Sequence, residues 1–174
     1  MSELLLRTFN FEVELRRSPE LASGALRSLA GGSNTTGTLL GRGGFQECSG
    51  LEVELDIQEL LEGGRNDGVI RRVGRAKYQP LTLKRGMFFA SERGAAGLDR
   101  ALWQWLQGIA AGVVPVVRYD GSIRVIDQGR VIATWTFVRG LPARLRGPEL
   151  NAKTGEIAIE ELHIAHEGLM LEDP

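Results

Sequence analysis

Residues 47–64 read ECSGLEVELDIQELLEGG, and their alternation decides the fold class. Leu51, Val53, Leu55 and Ile57 fall on one side of an extended chain, with Glu52, Glu54, Asp56 and Gln58 on the other, the period of two that marks a strand. The apolar side is expected to pack the subunit core. The acidic side has no partner that a single small domain would supply, so either water or another copy of the chain covers it.

The same period recurs in both directions. Upstream, Phe9, Phe11, Val13 and Leu15 alternate with Asn10, Glu12 and Glu14 in a first strand that ends at Arg16. Downstream, YQPLTLKRGMFF gives a strand with Leu81 and Leu83 inward and Thr82 and Lys84 outward, and Pro80 marks an edge or a strand start because it cannot donate to a ladder. SIRVID, with Ile123 and Val125, and RVIATWTFV, with Val131, Ala133, Trp135 and Phe137, pair across the tight turn DQG. In EIAIEELHIAHEGL the apolar residues change phase from Ile157 and Ile159 to Leu162, Ile164 and His166, which predicts a β-bulge at Glu160 and Glu161. One helix is expected in LDRALWQWLQGIA, where Leu98, Leu102, Trp105 and Ile109 share a face, Trp103 and Gln104 fall off it, and Gly112 and Pro115 end it.

Two stretches lack a clear period. Residues 17–43 are rich in glycine, serine and threonine and read as a long inserted loop with a helical turn around Leu21 to Leu29, longer than the connections of about 12–15 residues that compact domains tolerate without a purpose. EGGRNDG reads as a turn, and VIRRVGRAKY as a basic connecting segment. The fold class is therefore mainly β (α+β), about six strands with one flanking helix, in a single domain over 1–174.

A net charge of −1 gives no long-range attraction to nucleic acid or anionic lipid. Cys48 is the only cysteine, so no internal disulfide forms, and it reads as a small buried hydrophobe. MSELLLRTFNF has no secretory pattern and no run reaches about 18 apolar residues, so synthesis and folding in the bacterial cytoplasm are expected, with no membrane insertion. GRGG at 41–44 lacks the G-K-[ST] of a phosphate cradle and reads as a flexible loop. His163 and His166, three apart on a strand, point to opposite faces and do not share a metal. The Asn34 sequon NTT has no role without a secretory route, and Arg71, Arg72, Arg75 and Lys77, with only Tyr78 among them, do not make a nucleic-acid groove. Catalytic, cofactor-binding and metal residues: none are expected; nor is a cofactor, and the chain does not read as an enzyme.

Taken together, GFQECSGLEVE, LLEGG, KYQPLTLKRG, LWQWL and LNAKTGEIAIEELHIAHEGL resemble the tail-tube proteins of contractile phages and of extracellular contractile injection systems. The likeness runs through nearly all the chain except about 17–43, where simpler tube proteins have a tight connection. It implies a β-barrel or sandwich that assembles into stacked hexameric rings around a channel, with sheets continuing from subunit to subunit. It also implies a sheath protein, a baseplate hub or spike or other tube paralogues, and cargo or DNA as partners, within a phage tail or an extracellular contractile particle. Ring and stacking contacts are then expected at Ser49, Gly50, Leu51, Gly63, Gly64, Tyr78, Leu83, Lys84, Arg85 and Gly86, and at Leu26, Leu29, Leu39 and Leu40 of the insert. Glu52, Glu54 and Asp56 are expected to line a channel that is mostly acidic. Two other readings are an initiator or adaptor ring that joins the spike hub to the main tube, which the long insert favours, and a monomeric β-barrel that binds a small ligand.

Overall fold

The computed structural model describes residues 10–19, 38–60, 68–87, 89–90, 97–98, 100–151, 153 and 157–172. Among these are twelve strands and one helix. Their spine is β10 (Arg130–Arg146), along which β11 (Ile159–Ala165) and β12 (Gly168–Glu172) lie antiparallel, Arg146 facing Glu161 at one end and Thr134 facing Glu172 at the other, with one register shift between Pro142 and Arg144. β11 and β12 thus act as one long strand interrupted at His166 and Glu167.

Around this spine the sheet order is β2–β1–β9–β10–β11–β6–β3, built from β1 (Phe11–Arg17), β2 (Leu39–Gly44), β3 (Glu47–Ser49), β6 (Leu81–Gly86) and β9 (Tyr119–Asp127). β9 and β10 join through a two-residue turn with positive φ at Gln128 (48°) and Gly129 (78°), which matches the twist of the flanking strands. Val13, Leu15, Ile123 and Phe137 from one part of the sheet meet Leu81, Leu83, Leu162 and Ile164 from the other, all at most 2% exposed. Each such side chain contributes about 1.5–3 kcal/mol of burial.

α1 (Ala101–Ala110) closes this core with Leu102 and Trp105. Its first turn has no acid and no side-chain cap, so local sequence supports it weakly and packing holds it. Trp105 packs edge-on to Tyr119, with ring centroids 4.7 Å apart, and its indole N–H donates to the Val117 carbonyl at 2.9 Å. The helix ends at Ala110, ahead of Gly112 at φ 78°. Leu98 lies outside it, in β8 (Gly97–Leu98), which pairs with β7 (Phe89–Ala90).

Three expectations need correction. GRGG is not a loop: β2 lies antiparallel to β1, with Gly44 opposite Glu12 and Gly41 opposite Leu15, so the far end of the insert belongs to the subunit's own sheet. The helical turn expected at Leu21–Leu29, Asn34, and the contacts expected at Leu26, Leu29, Gly63 and Gly64 lie outside the described residues. No bulge interrupts β11 at Glu160 and Glu161; its register with β6 is continuous from Ile159 opposite Gly86 to Ile164 opposite Leu81. Glu160 occupies an inside position, 1% exposed, while Ile157 is 80% exposed. The phase is even throughout the strand, with a carboxylate at one of its core positions, and the register shifts fall on β10 instead. The third correction concerns residues 51–58 themselves.

Candidate assembly interface

β4 (Val53–Leu60) pairs only with β5 (Ile70–Tyr78), the segment read from sequence as a basic connection, and the two form a separate two-stranded ribbon. All eight residues of β4 are exposed. Val53 (52%), Leu55 (49%), Ile57 (49%) and Val73 (70%) therefore do not pack the core of their own subunit. Of the four apolar residues expected there, only Leu51 packs against it, partly buried.

The ribbon's faces follow from its register. Val53 stands opposite Tyr78, Leu55 opposite Ala76 and Ile57 opposite Val73, so these side chains share one apolar face. Between Leu55 and Ile57 the register shifts, and β5 carries one extra residue at Gly74 and Arg75. A Cβ at Gly74 would stand 2.7 Å from the Asp56 carbonyl, so the close approach requires glycine. The shift moves the apolar positions of β5 from even numbers at Tyr78 and Ala76 to odd at Val73. That break in phase is why β5 does not read as a strand, and the glycine inside the run is the signal that could have revealed it.

On the opposite face Glu54 stands across from Lys77 and Gln58 from Arg72, whereas the Glu59–Arg71 pair, bonded at 3.1 Å, ends the face that carries Ile57 and Val73. The acids of β4 thus stand in a ribbon that carries bases on its other strand, and their surface is mixed in charge rather than acidic. Gly50 sets the ribbon's direction of departure from β3: it has φ 86°, and a Cβ there would overlap the Pro80 carbonyl.

The other residues expected at an interface divide by burial. Leu83 is 1% exposed and sits opposite both Leu162 and Cys48, so its side chain belongs to the subunit's own core. Ser49 and Lys84 face outward; Lys84 bonds Glu47 at 2.8 Å and stands opposite Glu161, which is opposite Arg146, making a cross-strand row of alternating charge. Leu39 is 46% exposed at the edge strand β2, and Leu40 is partly buried against the core. Gly86 lies at the end of β6 and Tyr78 at the base of the ribbon, its ring 5.4 Å from His166.

Arg85 has a structural task. Its Nε donates to Glu160 Oε1 at 2.5 Å, and the Trp103 indole N–H donates to Glu160 Oε2 at 3.1 Å. The buried carboxylate thus ties β6, β11 and α1 together, and Trp103, off the helix's core stripe, points to it.

Among the described residues no group of three or more His, Cys, Asp or Glu could hold a metal. Burial, and secondarily Glu47, pushes the Cys48 thiol up to about 11, which keeps it protonated and unreactive. His163 lies between Thr82 and Glu161, and that hydrogen bond holds the Glu161 carboxyl below its usual range. His166 bonds the Gly168 carbonyl at 3.0 Å, and burial holds its imidazole below the ordinary value. The unfolded chain takes up this proton near pH 6.5, before the folded one does. Stability from His166 is therefore complete above about pH 6.5 and falls as the pH drops toward the lower folded value. Thermal melts are expected to show a smaller acid-side loss for His166→Gln than for the wild type, and an unchanged difference at neutral pH.

A sequence model of the family described as T4-like virus tail tube protein gp19 matches residues 7–170. No curated protein matches the chain. Among solved structures, a chain in the baseplate of the anti-feeding prophage, 6-fold symmetrised, is 19% identical with a TM-score of 0.70, over 99% of this chain and 97% of that one. A chain in the sheath-tube complex of an extracellular contractile injection system in its extended state is 18% identical with a TM-score of 0.67, over 98% and 93%. A chain in the anti-feeding prophage cap is 18% identical with a TM-score of 0.68, over 100% and 95%. At these identities the likeness is one of fold.

Proposed function

The chain belongs to the T4-like virus tail tube protein gp19 family, and from that membership we propose that it is a structural subunit of the inner tube of a phage tail or contractile injection system. Six copies close into a ring, rings stack around a channel, and cargo or DNA passes when an outer sheath contracts; the tube itself makes and breaks no bond. The observation that carries this reading is the ribbon β4–β5, with an apolar face half exposed beside a core that is complete without it. An isolated two-stranded ribbon is marginal in water, and exposed strands invite pairing unless another copy covers them. Ser49, Gly50, Leu51 and Tyr78, at and around its base, with Lys84 and Gly86 farther along β6, would form the adjoining part of the contact.

Glu52, Glu54 and Asp56 would line the channel together with the bases of β5, giving a wall of mixed sign that holds neither acidic nor basic cargo. A second reading within the family, an initiator or adaptor ring, is supported by the similarity to baseplate and cap chains as well as to a tube chain. Sedimentation and negative-stain imaging of the purified protein test both. Open-ended tubes are expected for a main tube subunit and single rings for an adaptor; a monomer at high concentration would reject the assembly reading altogether.

A further inference from the structure

The ribbon joins the main sheet at a root, and one imidazole sits in it. β4 leaves through Gly50, Leu51 and Glu52, and β5 returns through Tyr78, Gln79 and Pro80 to β6. The outermost ladder pair is Val53 with Tyr78. Beyond it the Gln79 N–H donates to the Glu52 carbonyl at 3.4 Å, longer than an ordinary backbone bond, so the root is loosely closed. His166 stands at the break between β11 and β12. The register that sets Leu162 opposite Leu83 and Ile164 opposite Leu81, carried on past Ile164, brings His166 across from Gln79. On its other side the register of Ala165 with Leu141 brings it across from Gly140, where a Cβ would overlap Phe137 and Ile164.

The ring lies between Tyr78 and Phe137, with centroids 5.4 Å and 5.8 Å away. Its Nδ1 is 3.0 Å from the Gly168 carbonyl, and a carbonyl only accepts, so the neutral ring carries its proton on Nδ1. Nε2 is then a bare lone pair, enclosed and without a hydrogen bond. The Gln79 backbone lies where it favours the charged ring. Its N–H is spent on Glu52, so the group that faces the imidazole is its carbonyl. Among titratable groups Tyr78 meets the ring from the ribbon, while β10 presents Phe137 and Gly140. Glu167, next along the chain, falls on the other face of the strand and is taken by Arg118 and Arg139. A lone pair turned toward a carbonyl is a mismatch that one proton removes.

We propose that His166 is a proton-operated clasp at the root of the ribbon: neutral, it holds only Gly168 of β12, and protonated, it also donates from Nε2 to the Gln79 carbonyl and ties the ribbon's return to the main sheet. The proton comes from water and no covalent bond changes. Burial of the charge opposes the clasp and outweighs it, so the ring titrates below its ordinary value. Acid therefore lowers the stability of the whole subunit while it tightens the root, two changes of opposite sign. What the ribbon is for rests on the tube reading above; the clasp belongs to the subunit and is measured there.

Nitrogen-15 spectra of the imidazole in the full chain, dilute enough to stay unassembled, are expected to place the proton on Nδ1 at neutral pH; a proton on Nε2 instead would overturn the clasp. As the ring titrates, hydrogen exchange corrected for its intrinsic pH dependence is expected to slow at least about tenfold at the Gln79 amide, while it quickens at Ile123 and Leu162 in the core strands. A Gln79 amide that quickens with the core rejects the proposal. His166→Asn keeps a donor near the Nδ1 position and none at Nε2, so the acid-induced slowing is expected to vanish; its survival would sink the idea equally. If that variant does not fold, the tautomer and the sign of the change at Gln79 decide on the wild type alone. A chain that never self-associates would end the tube reading and leave these outcomes unaltered.

Discussion

Arg85→Ala is expected to destabilise the folded subunit by about 3–5 kcal/mol, the cost of leaving a buried carboxylate without its countercharge. Glu160 is 1% exposed, and the Arg85 side chain that meets it at 2.5 Å is 12% exposed, so water screens this pair far less than the surface pairs. The Trp103 indole N–H, at 3.1 Å, would remain as a partner of the carboxylate. In a chain of this size each kcal/mol shifts the melting temperature by about 2–4 °C, so a loss of roughly 6–20 °C is expected. Glu160→Gln should cost much less, because an amide keeps an acceptor for Trp103 and carries no charge to strand. Urea titrations of Arg85→Ala, Glu160→Gln and the double variant separate the two causes. A single Arg85→Ala variant within 1 kcal/mol of wild type would show that the carboxylate is satisfied by other means.

This clamp also marks a limit of what alternation reveals. β1, β6, β9 and β10 around Phe137 were legible because each buries its own apolar side within the chain: Val13 and Leu15, Leu81 and Leu83, Ile123 and Val125, and Phe137 sit where period two puts them, whereas Val131 at the start of β10 is 49% exposed. β11 misled because period-two reading treats every glutamate as outward. A charge can hold an inside position when an arginine on the next strand and an indole on the helix converge on it, and those partners lie 75 and 57 residues away in sequence. β2 was missed for the opposite reason: Gly41, Gly43 and Gly44 carry no side chain to alternate, so only backbone pairing with β1 defines the strand. In β4 the strand itself was plain, but alternation states only that one face is apolar and not whose core that face joins. The family likeness, carried by the order and spacing of several short stretches, is what implies an assembly, which periodicity cannot express.

Replacing Ile57 and Val73 together by aspartate is expected to leave the monomer folded and to abolish ring and tube formation. The two side chains stand opposite one another on the ribbon's apolar face and are 49% and 70% exposed in the subunit. Surface changes of this kind usually alter subunit stability by no more than about 0.5 kcal/mol, so the melting temperature and circular dichroism should stay close to wild type. In an assembly that covers this face, two unpaired carboxylates would be taken out of water, and an uncompensated polar group alone costs about 1–3 kcal/mol on burial. Summed over the pair, a loss of at least about 30-fold in association is expected, since tenfold corresponds to about 1.4 kcal/mol. Gln58→Asp, on the ribbon's other face opposite Arg72, serves as the control and should assemble nearly as well as the wild type. Tubes of normal length from the Ile57 and Val73 variant would mean that the ribbon's apolar face stays in water within the particle. A collapse of the monomer's own stability would instead mean that the ribbon folds back onto its subunit. Only the combination of an intact monomer and absent rings fits a strand pair whose missing core is supplied by its neighbour.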